Sequence, residues 1–334
     1  MRLILMGTGP FALPAFDALR ASGHDIAAVI TRPAPPVKSR KGPPPQPVRD
    51  WAESQGFSVH APDSINTKEA IDFLQSLQAE LQVVCDYGQI LSDTALETTI
   101  LGGINLHGSL LPRYRGAAPV QRALLAGDEM TGVSVIHMTP RLDGGPLLAT
   151  AETAIRTDET AGDLEARLSL LGVKPTLDAV RLLSEWDRKS TIGEMQDPGL
   201  VTKAPRLSKK EAAINWGRTN SEIDCLIRGM QPWPIAFCHL PLPNGKAPLR
   251  LAVKEVRALS SHELTSIDSE HQEINRLLED DTVDPGTILT KKQLVVKTGS
   301  GAIEIVRIQP AGKKDMSGTD FLRGHQPPFG TRLS

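Results

Sequence analysis

Three side chains have the types and spacing that acyl transfer to an amine requires. Asn105 and His107 end an apolar run, and Asp143 precedes Gly144-Gly145. Residues two apart in a strand share a face, so Asn105 and His107 project together. The Asn amide can donate to a developing oxyanion. The imidazole can donate to the same oxygen or shuttle a proton, and a carboxylate can orient the imidazole and favour its protonated form. Gly108 and Gly116 let the backbone approach a ligand closely, and the only tyrosines, Tyr87 and Tyr114, fall in the flanking loops. No Ser or Cys sits on a strand-to-helix elbow, so attack by the substrate itself fits better than a protein nucleophile. A histidine at a strand end also suits a purely structural, hydrogen-bonded place, and the pattern alone leaves both readings open.

The elements that must position these residues read as alternating strands and helices. Strands are expected over 2–6, 26–31, 57–60, 81–85, 104–107, 131–139 and 147–153, and helices through about residue 22, up to 56, and over 66–78 and 118–126. Leu164, Leu168, Leu171, Val173 and Leu177 recur at helical spacing and predict one closing helix over 159–185. Such alternation indicates an α/β domain, an open and mostly parallel Rossmann-like sheet with helices on both faces. Ligands of these sheets bind at the carboxyl ends of the strands, where Asn105 and His107 fall.

Two early segments stay ambiguous. Gly7-Thr8-Gly9-Pro10-Phe11-Ala12 fits the dinucleotide fingerprint formally, but also a tight strand-to-helix turn. The next strand ends in Thr31-Arg32, with no acidic residue for a ribose, although Arg32 could take a 2′-phosphate. Residues 31–49 then hold seven prolines with Arg32, Lys38, Arg40, Lys41 and Arg49 and no acidic residue. A basic, extended loop beside a cleft suits a phosphate backbone, and a solvated connection fits the composition equally well.

A chain of 334 residues with 40% hydrophobic and 23% charged residues is expected to be globular with two domains. The net charge of −2 gives no overall sign of a nucleic-acid binder, so any such surface must be local. Cys85, Cys225 and Cys238 lack metal-like spacing, and neither a disulfide framework nor a metal site is expected. No apolar run is long enough to span a membrane and the first residues read as a strand rather than a signal peptide, so a cytoplasmic location is expected. The pattern loosens after residue 186. Short strands near 249–256, 293–298 and 303–308 then suggest a small β-barrel or sandwich. Residues 255–284 hold nine Asp/Glu, whereas 288–334 hold eight Lys/Arg, including Lys313-Lys314 just after a strand. The expected division is a catalytic domain at 1–187, a linker at 188–207 and a second domain at 208–334.

The run Asn105-x-His107-Gly-Ser-Leu-Leu-Pro-x-Tyr-x-Gly116-Ala-Ala-Pro-Val-Gln121, with Leu142-Asp143-x-Gly145 and Asp86-Tyr87-Gly88-x-Ile90-Leu91, resembles the 10-formyltetrahydrofolate-dependent formyltransferases. Gly7-Thr8 with Phe11-Ala12, Leu207-Ser208-Lys209-x-Glu211-Ala212, Arg228 with Pro232-Trp233-Pro234, and Gln309-Pro310-x-Gly312-Lys313-Lys314-x-Met316 resemble the branch of that family acting on aminoacyl-tRNA. The resemblance covers nearly the whole chain.

It implies a two-domain enzyme that formylates the α-amino group of initiator methionyl-tRNA. Asn105, His107 and Asp143 would be the catalytic trio. Ser109, Leu110, Leu111 and Pro112, with Tyr87, Gly88, Ile90 and Leu91, would hold 10-formyltetrahydrofolate as formyl donor, with no metal and no NAD(P). The second domain would be an OB-type barrel lying along the tRNA. Arg32, Lys38, Arg40, Lys41, Lys313 and Lys314 would meet the tRNA, no membrane would be involved, and the chain would act as a monomer. The alternatives are a formyltransferase for an amino-sugar nucleotide and a non-catalytic tRNA-binding relative. Two departures stand out. The family's Ala before Tyr-Gly is Asp86 here, and its usual loop Arg falls near Ser39, with Arg40 one place along.

Overall fold

The computed structural model describes residues 1–34, 44–243, 245–259, 276–278, 280 and 282–334. Lys38, Arg40, Lys41, Ser39 and most of the acidic stretch lie outside the described residues. The chain divides into two compact units. The first comprises Met1–Val120, Glu129–Arg156 and Asp163–Arg206, and the second Gln121–Asp128, Thr157–Gly162 and Leu207–Ser334.

Among the described residues the first unit is built on a seven-stranded sheet: β1 (Arg2–Gly7), β2 (Asp25–Ile30), β3 (Val59–His60), β4 (Leu81–Cys85), β5 (Gly103–His107), β7 (Met130–His137) and β8 (Leu147–Ala154). Their order is β3-β2-β1-β4-β5-β7-β8. The pairs from β3 through β5 are parallel, and β5-β7 and β7-β8 are antiparallel. The sheet is thus mostly parallel and Rossmann-like. β1 alternates between two faces, as the pleat requires. Ile4 and Met6 pack with Leu74, Tyr87, Leu91 and Ala95 under α3 (Lys68–Ser76) and α4 (Asp93–Leu96). Leu3 and Leu5, also fully buried, point to the other face.

The closing segment is two helices, α6 (Ala161–Leu171) and α7 (Val173–Ser184), where one was expected. They meet at Gly172, where an added Cβ would lie 2.8 Å from Leu106 Cδ2. Leu106 is the buried residue between Asn105 and His107, so Gly172 lets the helices close on the reverse side of the site strand. The Pro-rich loop is also shorter than expected, because α2 (Pro47–Ser54) already includes Pro47 and Arg49, with Pro in the first turn where its missing N–H costs little.

Within the segment 188–207 expected as a linker, the residues through Arg206 carry ordered structure of the first unit. A two-residue strand β9 (Lys203–Ala204) pairs with β6 (Arg115–Gly116), and Leu147 bridges Glu194.

The second unit has an antiparallel five-stranded sheet, β10 (Phe237–Leu240), β11 (Leu249–Ala258), β13 (Gly301–Pro310) and β12 (Val295–Thr298), with β14 (Met316–Ser317) added to β13. Register slips around Glu255 bend β11 against β13, which suits the curvature of a small barrel. Its core joins Ile223 and Ile227 of α8 (Asn220–Gly229) and Phe321 of α9 (Gly318–His325) to Leu251, Val253, Ile305 and Ile308.

Candidate active site

β5 ends with Asn105 opposite Ile136 and His107 opposite Ser134 of β7. The structure brings Asn105, His107 and Asp143 together. Asn105 Nδ2 donates to Asp143 Oδ1 at 3.4 Å. His107 Nδ1 lies 3.8 Å from Asp143 Oδ2, and both side chains are largely buried. That is ion-pair distance, too long for a direct hydrogen bond. The bond that fixes the imidazole comes from elsewhere: Nε2 is 2.9 Å from the Tyr114 carbonyl oxygen. A carbonyl only accepts, so Nε2 carries the proton and donates. Nδ1 is therefore the nitrogen facing the carboxylate. The Tyr114 carbonyl thus fixes the imidazole through Nε2, and Asp143 faces its other nitrogen.

Asp143 is held on both sides. Its backbone is left-handed, φ +49°, on a turn after β7. The Gly116 N–H donates to Oδ2 at 2.8 Å. Gly116 itself has φ +130°, and a Cβ there would lie 2.6 Å from the Ala204 carbonyl oxygen. At Gly145 a Cβ would lie 1.8 Å from the His137 carbonyl oxygen, so the second glycine of the turn is obligatory. The loop between β5 and β6 is braced from within and by Ser134 of β7. Ser109 Oγ donates to the Arg113 carbonyl, Ser134 Oγ donates to the Ser109 carbonyl and the Leu111 N–H donates to Ser134 Oγ. The 188–206 segment completes the brace, since the Tyr114 N–H donates to Thr202 Oγ1 at 2.8 Å.

The residues expected at a folate site divide by burial. Ser109, Leu111, Tyr87 and Leu91 are buried, so their side chains hold the loops or fill the core. The Tyr87 hydroxyl has no partner among the described residues, and burial pushes it up to about 12, against the pull of Arg32. Ile90 is 63% exposed, Gly88 is exposed, and Leu110 and Pro112 are half-buried. The 86–91 loop is pinned by Gln89, whose Oε1 accepts from the Ile65 N–H, and by Asn66, whose Nδ2 donates to the Ile90 carbonyl. These braces leave the apolar surface of Ile90 uncovered. Arg32 is exposed after β2 and reaches over Gly88. Lys313 and Lys314 are exposed in the turn between β13 and β14.

The glycines of the formal dinucleotide fingerprint have local explanations. A Cβ on Gly7 would lie 2.9 Å from both the Cys85 carbonyl oxygen and the Phe16 ring. At Gly9 it would lie 2.2 Å from Asp86 Oδ2, and the Gly9 N–H donates to that carboxylate. A negative charge thus already takes a donor that a pyrophosphate would need. Asp86 keeps solvent contact at its surface but is surrounded by protein on most sides, and the loss of surrounding water governs its ionisation. Burial raises its carboxyl above the usual range, while Arg206 and the Gly9 N–H pull it back. Glu165 of α6 is raised by burial and by the Asp86 charge.

Sequence reasoning missed the Tyr114 carbonyl, the Gly116 N–H, Gln196 and Thr202. The first two are backbone groups with no residue signature, and the last two lie in a run with no periodicity.

A Rossmann-like sheet with an amide and an imidazole at the carboxyl end of β5, and a carboxylate brought to them by the turn after antiparallel β7, is an arrangement suited to acyl transfer, and comparison with known proteins gives the family. The model of the formyl transferase family matches residues 1–180, and that of the formyl transferase C-terminal domain matches residues 206–326, so the chain belongs to the formyl transferase family. It is 56% identical, over 100% of its length and 96% of the relative's, to a methionyl-tRNA formyltransferase of Rhodopirellula baltica. Two solved structures are similar in fold. HypX from Aquifex aeolicus in complex with tetrahydrofolic acid gives a TM-score of 0.59 at 12% identity, covering 98% of this chain and 48% of HypX. The chain thus spans about half the length of HypX. An N-formyltransferase from Helicobacter canadensis, solved with folinic acid and dTDP-3-aminofucose, gives 0.59 at 14% identity, covering 91% of this chain and 98% of that one. Among the described residues no helix is long and apolar enough to cross a membrane.

Proposed function

We propose that the chain transfers the formyl group of 10-formyltetrahydrofolate to the α-amino group of initiator methionyl-tRNA. The observation that carries this reading is the convergence of Asn105, His107 and Asp143 at one strand edge, in a chain 56% identical end to end to a methionyl-tRNA formyltransferase. The N-formyltransferase solved with dTDP-3-aminofucose resembles it only at 14% identity, which supports the shared fold and no shared substrate.

In this mechanism the neutral methionyl amine attacks the formyl carbon. A bond to the amine nitrogen forms and the bond to N10 breaks. When bound, the folate supplies an activated formyl group on N10. The uncovered surface of Ile90 suits apolar contact with a flat ring, and Gly88, Leu110 and Pro112 also keep accessible surface for it. Asn105 has a second amide hydrogen besides the one given to Asp143, and it donates to the oxygen as negative charge develops there. His107, held by Tyr114, presents Nδ1 on the same side and donates when that nitrogen is protonated. Asp143 takes the proton that the amine loses and delivers it toward the departing N10. Arg32, Lys38, Arg40, Lys41, Lys313 and Lys314 neutralise tRNA phosphates, and the protein works as a monomer in the cytoplasm, where its tRNA is charged.

The test is formyl transfer from 10-formyltetrahydrofolate to methionyl initiator tRNA, with methionyl elongator tRNA and a UDP-amino-sugar as controls. Turnover confined to the initiator tRNA is the expected result. Preferential formylation of the sugar would overturn the reading.

A further inference from the structure

Asp143 handles the proton in the reading above, yet its own turn is an unfavourable place for a fixed carboxylate. A non-glycine residue at φ +49° persists only where its surroundings over-determine it. Those surroundings converge on one buried side chain. Gln196 is 7% exposed and uses its whole hydrogen-bonding capacity on this turn and on Arg115 of β6. Its Nε2 donates to the Asp143 carbonyl at 2.8 Å and to the Gly145 carbonyl at 2.7 Å. Its Oε1 accepts from Arg115 Nε at 3.1 Å and Nη2 at 2.7 Å.

Arg115 immediately precedes Gly116, the residue whose N–H grips the Asp143 carboxylate. The contacts therefore close a ring. Gln196 holds the Asp143 backbone with one end of its amide, and with the other it holds the residue that presents the donor to the Asp143 side chain. Gln196 is anchored in turn. Two residues before it, Glu194 exchanges two backbone hydrogen bonds with Leu147 at the start of β8, at 2.7 and 2.8 Å.

We propose that Gln196 is a positioning residue for the reaction: it fixes the Asp143 carboxylate relative to Asn105 and His107 without touching substrate. This rests on the reading of Asp143 as the proton-handling group. Truncating the amide leaves the Asp143 and Gly145 carbonyls unpaired and frees Arg115. The turn then has no reason to keep its left-handed residue, and the carboxylate drifts from Asn105. A displacement of about 1 Å from productive geometry costs on the order of 10² in rate.

The experiment compares kcat and KM for formyl transfer to methionyl-tRNA in the full chain carrying Gln196→Ala, Gln196→Glu, Asp143→Asn, and each Gln196 change combined with Asp143→Asn. Gln196→Glu keeps the size and the acceptor for Arg115 but loses both donors, so it serves if the Ala variant does not fold. Asp197→Ala, at an exposed neighbour, is the control for disturbance of the segment. Expected are a fall in kcat of about 10²-fold with KM for both substrates nearly unchanged, and little further loss once Asp143 is already Asn. A purely structural clamp would lower the yield of folded enzyme and leave kcat per folded molecule intact. A folded Gln196 variant with near-normal kcat, or a loss fully additive with Asp143→Asn, overturns the proposal while unaltered enzyme still transfers formyl. Absence of transfer by the unaltered enzyme overturns the functional reading, and the role of Gln196 with it.

Discussion

His107 gives its Nε2 proton to the carbonyl oxygen of Tyr114, 2.9 Å away, and so meets the reaction with Nδ1. Tyr114 reaches this position in a left-handed conformation, φ +62°, with its own N–H secured by Thr202. The tautomer is thus set by backbone on the side of the ring away from Asp143. In ¹⁵N spectra of selectively labelled protein, the neutral His107 ring should carry its proton on Nε2. A ring protonated on Nδ1 alone in the neutral form would contradict the assignment.

Removing Gly116's freedom should damage stability and chemistry together. Gly116→Ala places a Cβ 2.6 Å from a backbone oxygen at φ +130°, a combination of strain and overpacking that should cost about 1–3 kcal/mol. The same change moves the N–H that binds Asp143 Oδ2. Chemical denaturation and kcat should both report the loss, and a variant unaltered in both would contradict this geometry.

Asp86 predicts a pH dependence of stability. Its carboxyl and that of Glu165 are raised by burial, the latter also by the Asp86 charge. A raised carboxyl means that the folded chain keeps protons the unfolded chain releases. The associated stability is full below the ordinary carboxylate range and is lost as pH rises through the raised values. Asp86→Asn removes the partly desolvated charge, so its Tm advantage should be present near neutral pH and fade on acidification below about pH 4. An advantage that grew toward acid would reverse the sign.

The edge of the site was legible in the sequence because strand periodicity alone places Asn105 and His107 on one face, and the Gly-Gly after Asp143 marks its turn. The sheet was legible for the same reason: each strand is a short apolar run between turn residues. What stayed hidden depends on contacts between distant segments. Gly172 is required by the nearness of Leu106 across the layer, whereas the helix break beside it follows Pro175, which has no N–H for the Leu171 carbonyl, and helical periodicity continues through both. Gln196 sits among Gly and Pro in a run that reads as a connection, because a side chain bonding two turns imposes no pattern on its own neighbours. Tyr87 shows the converse. The motif containing it was read as a ligand loop, yet its ring is 1% exposed in the core, and only neighbours such as Ile90 present accessible surface.

The exposed turn bearing Lys313 and Lys314 should contribute to tRNA affinity and not to chemistry. Replacing both with Ala should raise KM for methionyl-tRNA while leaving kcat within about twofold, and lower the slope of log K against log salt by about 2. The neighbouring Asp315 is held below the usual carboxylate range chiefly by its bond from Lys254, with help from Arg307, so it stays ionised and engaged with those two cations. An unchanged salt slope would remove this turn from the tRNA surface.

The central claim is that Asn105, His107 and Asp143 move a formyl group onto the amine of methionyl-tRNA. Single-turnover transfer of labelled formyl from 10-formyltetrahydrofolate to methionyl initiator tRNA tests it most directly, comparing the unaltered enzyme with Asn105→Ala, His107→Ala and Asp143→Asn. The expected result is robust transfer by the unaltered chain and a loss of about 10²–10³ in rate on removing either Asn105 or His107 as an oxyanion donor, with a comparable loss for Asp143→Asn. Near-full rates in the His107 and Asp143 variants, or no transfer to tRNA by the unaltered enzyme, would contradict it.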